Sequence, residues 1–254
     1  MNKNILLILL FFSEFLFSQQ IHVRYIRVLS PFATTHEDLY IKNNQVISVQ
    51  DSIITHNKLN SQWEMGIDIS HGRKPSKNYF VSDINKERER HFFFTSNVDN
   101  RDFFIFDNVP KPDWKIEENQ TKTILGYKCT KATGIFRGSK VIAYFANDLH
   151  YSAGPFKFYG LPGLILDVRA ENLDNQIWKA ESVIVDDKED IIYKPKFLSK
   201  EKISLKDYVD IKETYMNKIF DKLDDVILKS SPNAKIENNQ RLTVEQKYEW
   251  EEQK

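Results

Sequence analysis

The side chains able to do chemistry in this chain are scattered rather than set at a reactive spacing. The six histidines are His22, His36, His56, His71, His91 and His150. None is paired with another at a metal-ligand interval, and no H-E-x-x-H segment occurs, so neither a metal set nor a cofactor is expected. The one cysteine, Cys129, cannot build a zinc knuckle. No G-x-S-x-G elbow and no glycine-rich phosphate loop is present. A glycosidase pair of carboxylates would be assembled only by folding. His150-Tyr151, beside a loop rich in Gly and Pro, has the residue types of an acid and a nucleophile. A partly buried loop contact is the plainer reading of the same two residues, and no residue is assigned a catalytic role.

The most distinctive segment is Gly154-Pro155-Phe156-Lys157-Phe158-Tyr159-Gly160-Leu161-Pro162-Gly163-Leu164-Ile165. Leu161-Pro162-Gly163-Leu164 suits a type II turn, with proline presetting the first central residue and Gly163 accepting a positive φ at the second. Gly154-Pro155 opens the segment with an extended or turn dipeptide. The whole reads as a stiff loop filled with aromatic rings and held on the end of a sheet. Lys157 is its only charged side chain. Backbone geometry and packing account for such a loop, yet stiff loops on sheets also carry ligand contacts.

The elements that must position this loop are mostly strands. The chain is aromatic-rich and glycine-poor, with short segments of period two, the mark of antiparallel sheet. Residues 21–26 alternate, and residues 39–41 and 46–49 flank Asn43-Asn44, a pair that tolerates the left-handed angles of a tight hairpin. A second hairpin joins residues 79–81 to 89–95 through residues 83–86. The run His91-Phe92-Phe93-Phe94 is bulky on both faces and should be covered on both, and residues 103–106 repeat the theme. A third hairpin turns at Arg137-Gly138-Ser139. Residues 164–168 and 178–185 are also strand-like. A helix should start at Ser204, a good N-cap with Asp207 three residues on. Its apolar stripe of Leu205, Tyr208, Ile211, Tyr215 and Ile219 should run to about Lys229 and stop before Pro232. The tail beyond is polar, with room for one short element around residues 242–250.

Composition sets outer bounds. Acidic and basic side chains balance at 36 each, so no basic excess exists to bind nucleic acid by counter-ion release. A single cysteine leaves the fold without disulfide staples, and Cys129 reads as a small buried hydrophobe. Residues 1–18 have the parts of a secretory signal: Lys3, a short apolar run from residue 5 to 12, and Ser18 at the expected cut. That run is too short to span a bilayer, which needs roughly 20 apolar residues. No lipidation cysteine follows it. Residues 19–254 then form a single domain with a polar C-terminal tail.

Gly160 to Ile165 spell a known hexapeptide, and ordered companions precede it: Trp114, Thr121-Lys122-Thr123-Ile124, Gly126-Tyr127-Lys128-Cys129, Lys131-Ala132, Phe136-Arg137-Gly138 and Gly154-Pro155-Phe156-Lys157-Phe158. In these residues the chain resembles the GLPGLI family of exported bacterial proteins. The resemblance implies export and a β-rich fold, and it implies no reaction. The expected architecture is α+β and mainly antiparallel: one curved sheet of roughly ten strands with a long C-terminal helix, similar to the half-barrels of periplasmic lipoprotein carriers. The expected function is that of an exported or cell-envelope protein that binds an apolar ligand or a partner protein without catalysis. The alternatives are an extracytoplasmic hydrolase using carboxylates or His150 and Tyr151, and a structural envelope component.

Overall fold

Four two-residue turns set most of the register. Asn43-Asn44, Asp99-Asn100, Leu125-Gly126 and Arg137-Gly138 all have positive φ at both positions, between 42° and 86°. Such turns match the right-handed twist of the strands they join. The computed structural model describes residues 19–30, 33–51, 55–56, 77–85, 89–171, 173, 176–197, 200–230, 241 and 243–251. The expected signal segment, residues 1–18, lies outside the described residues.

The strands are β1 (Ile21–Ser30), β2 (Ala33–Lys42), β3 (Gln45–Asp51), β4 (Thr55–His56), β5 (Lys77–Asp83), β6 (Glu89–Val98), β7 (Arg101–Pro110), β8 (Lys115–Ile124), β9 (Tyr127–Phe136), β10 (Ser139–Ala146), β11 (Leu164–Ala170), β12 (Ile177–Val185) and β13 (Glu201–Ser204). They form one sheet in the order β13-β7-β6-β5-β3-β2-β1-β12-β11-β10-β9-β8, with β4 beside β2. Every pairing is antiparallel except β13 on β7. The fold is thus mainly antiparallel as expected, but with thirteen strands among the described residues and not roughly ten.

The half-barrel is corrected too: the sheet is open, with β13 and β8 at opposite ends. The strands missed by pattern are those with no apolar alternation. β8 is exposed along nearly its whole length, and β13 is four residues long and exposed or half-buried.

Helix α1 (Leu205–Ser230) starts as the cap predicts. Ser204 Oγ accepts the Asp207 N–H at 3.1 Å and donates to the Asp207 carboxylate at 2.6 Å. Leu205, Tyr208 and Val209 pack on Phe94, Phe103 and Ile105 of the sheet. No helix among the described residues is long and apolar enough to cross a membrane.

The tail is less free than its composition suggests. Val244 and Tyr248 are buried, and the amides of Gln246 and Lys247 both donate to the Arg137 carbonyl at 2.9 Å. Residues 243–251, ending in a short 3-10 helix (Glu249–Glu251), form a strap across the Arg137-Gly138 turn.

Candidate functional site

The loop singled out by sequence lies against the core face of the sheet. Tyr159 donates its hydroxyl to the Val109 carbonyl at 2.7 Å, and Trp114 Nε1 donates to the Tyr159 carbonyl at 2.8 Å. Arg90 reaches the Ser152 carbonyl at 2.8 Å, its guanidinium 4.2 Å from the centre of the Tyr159 ring. Phe156 stacks on Trp178 and meets Phe80 edge-on. Its amide donates to Glu37 at 2.5 Å. Glu37 is fully buried and also accepts from Ser48, Gln50 and Trp178. Hydrogen bonds of this number make a buried carboxylate tolerable.

Lys157 is only 1% exposed. Its ammonium contacts Asp107 Oδ2 at 2.7 Å and Glu245 Oε1 at 2.9 Å, with the Phe94 ring 4.4 Å away. Arg137 completes the cluster. It forks onto Asp107 at 2.6 and 2.9 Å, bonds Glu245, and reaches Glu249 at 3.0 Å. Burial would raise the Asp107 pKa, but Lys157 and Arg137 outweigh it and hold that carboxyl below its ordinary value. The loop's only charged side chain is therefore an internal ion partner. It ties the loop to β7 and to the strap.

The turn chemistry is also corrected. Gly163 lacks the positive φ of a type II turn; positive φ falls at Phe156 (55°) and Gly160 (99°). Glycine is needed at 163 for closeness, since a Cβ there would run into the Ala146 carbonyl oxygen and lie 2.8 Å from its carbon. At Gly154 a Cβ would meet the Ile165 Cβ at 2.8 Å. Leu161, Leu164 and Ile165 are buried core, and Pro155 and Phe158 are buried with them, while Pro162 faces solvent. His150 is exposed and Tyr151 half-buried. Burial raises the Tyr151 phenol pKa, the wrong direction for a nucleophile at neutral pH. Burial also pushes the Cys129 thiol up to about 11, as its reading as a small hydrophobe requires.

The opposite face carries what the loop does not. Phe93 and Phe104 point away from the core, stacked with ring centres 5.6 Å apart. Phe197 extends the row, 5.3 Å from Phe104 and 5.3 Å from Tyr79. A groove of about 440 Å³ runs over these rings, with Asp83, Asn85, His91 and Lys194 among its polar lining. A hollow of about 270 Å³ adjoins it at His91 and Phe93, bounded by Phe106, Asn108 and Lys202. Asn108 holds His91 at 2.6 Å.

The expectation that both faces of residues 91–94 are covered therefore holds on the core side and only in part on the other. The separating signal is alternation: Phe92 and Phe94 point one way, Phe93 the other.

Residues 38–212 match the family model described as N-glycanase peptide, N-terminal domain. The chain belongs to that family. The match spans well over half of the chain and contains the hexapeptide, so it replaces the GLPGLI assignment. Leu161, Gly163, Leu164 and Ile165 of the hexapeptide are explained by close packing between the loop and β10, β11 and the core, and six residues do not define a family. Two crystal structures of PNGF-II, in space groups C2 and P21, are similar at 20% and 17% identity, with TM-scores of 0.49 and 0.47. They cover 76% and 77% of this chain, and the chain spans about a third of theirs. An uncharacterized conserved protein from Thermus thermophilus is similar at 9% identity and TM-score 0.37, covering 80% of this chain and 99% of its own. The curated proteins contain no match.

Proposed function

We propose that this domain is an extracytoplasmic glycan-recognition module of the N-glycanase type, which holds a carbohydrate chain on its aromatic face without cleaving it. The observation that carries the reading is the row Phe93, Phe104 and Phe197 beneath a groove edged by Asp83, Asn85, His91 and Lys194. A sugar ring offers a flat face of C–H groups and a rim of hydroxyls. An apolar floor with a few convergent polar groups suits both. The family described as the N-terminal domain of an N-glycanase supports a glycan as the ligand class. Residues 1–18, read as a secretory signal, support a place outside the cytoplasm. The aromatic floor keeps part of the expected apolar ligand, but the polar rim favours a saccharide over a lipid.

Isothermal titration of the purified protein with defined N-glycans and glycopeptides tests this. Phe104→Ala and Phe197→Ala should each weaken binding at least tenfold while far-UV circular dichroism stays unchanged. Absence of glycan binding, or an affinity in both variants unchanged from that of the parent protein, would overturn the proposal.

A further inference from the structure

At the start of β1, away from the aromatic groove, His22 stands among carboxylates brought in by separate segments. Asp38 comes from β2, and Asp187 and Glu189 follow β12. His22 Nε2 lies 2.9 Å from Asp38 Oδ1. An ionised carboxylate only accepts, so Nε2 carries the proton, and in the neutral ring Nδ1 keeps its lone pair. That lone pair looks toward Asp187, whose Oδ2 is 4.0 Å from Nδ1. The separation is too long for a hydrogen bond. One ligand atom from each of His22, Asp187 and Glu189 falls within 4.8 Å of the others. Two atoms bonded to one ion at about 2.0–2.2 Å can be no more than about 4.4 Å apart, so a cation needs only a small inward closing of this set.

The surroundings hold these groups in place. Gln20 Nε2 donates to Asp187 Oδ2 at 2.9 Å and Tyr193 steadies Gln20 at 2.9 Å. Tyr40 donates to Glu189 Oε2 at 2.7 Å, and its ring stacks on His22 with centres 4.2 Å apart. Each bond still leaves lone pairs on the carboxylate. Asp38 behind the imidazole is the outer partner that metal-bound histidines ordinarily have, orienting the ring and raising its basicity. Of the cations nearby, Arg24 stands 4.0 Å from the outer carboxylate Asp38, and Lys188 pairs with Asp186.

We propose that His22, Asp187 and Glu189 bind a divalent transition-metal ion of the zinc class, with Asp38 as the positioning residue behind His22 and water completing the coordination. One nitrogen and two carboxylate ligands favour zinc over magnesium or calcium, which prefer all-oxygen sets. The ion fastens the segment after β12 to the first two strands.

Isothermal titration of chelator-treated full-length protein with zinc chloride tests this, with magnesium and calcium chloride for comparison. One zinc per chain is expected, with a raised melting temperature and little response to the other two ions. Glu189→Gln, at an exposed position, should weaken zinc at least tenfold without moving the metal-free melting temperature. His22→Ala should abolish binding, and Asp38→Asn should weaken it about 10–100-fold. No zinc binding by the intact protein, or unchanged affinity in Glu189→Gln and His22→Ala, would overturn the site.

Discussion

Two glycines separate space from backbone angle. A Cβ at Gly163 would collide with the Ala146 carbonyl, a clash with backbone that no rotamer relieves. Gly126 has φ of 86° and open space around it. Gly163→Ala should therefore cost about 4 kcal/mol or more, in the range reserved for severe packing faults. Gly126→Ala should cost about 1 kcal/mol, the strain of an L-residue in left-handed backbone. Thermal melts of the two variants check the contrast, and equal losses would refute it. The sequence shows both as glycines in turn-like settings and cannot say which reason applies, because closeness to β10 exists only after folding. Lys157 hides in the same way. In sequence it is only the loop's one charge, and its partners Asp107 and Glu245 lie far off in the chain.

Among the elements, strands with clean alternation and the capped helix were legible, since local physics alone dictates them. The strap was legible only as a short element near residues 242–250; its burial was not, because its sequence is polar and that burial depends on Arg137. The bond to Arg241 holds Glu251 down to about 2, and Asp107 is also depressed. A carboxylate whose folded pKa lies below its unfolded value stabilises the fold above that unfolded value, and the stabilisation is lost as pH falls through the folded one. Strap attachment should be intact at pH 6 and loosen between about pH 4.5 and 2, the window set by ordinary carboxylates and by Glu251. Amide hydrogen exchange of residues 243–251 across that range measures it. Arg241→Ala should move the loosening to higher pH. Protection unchanged down to pH 2 would contradict the role given to these ion pairs.

For the whole molecule, the aromatic face was visible in composition but not in orientation. Four phenylalanines on β6 and β7, Phe92, Phe94, Phe93 and Phe104, divide between core and groove only once the sheet supplies two sides. The sheet order also has a consequence in time. β1–β3 and β5–β7 form one wing, and β8–β12 the other, each largely built from neighbours in sequence. The seam between them pairs residue 21 with residue 185. Closing so long a loop is entropically costly, so contacts of this kind form late. Refolding should thus run from two independent half-sheets to a late zipping of β1 onto β12, after the rate-limiting step. Val23→Ala and Ala180→Gly on the seam should speed unfolding and leave the folding rate nearly unchanged. Until β12 has emerged, β1 lacks the described strand that covers that side, and the newborn wing must wait with that edge bare.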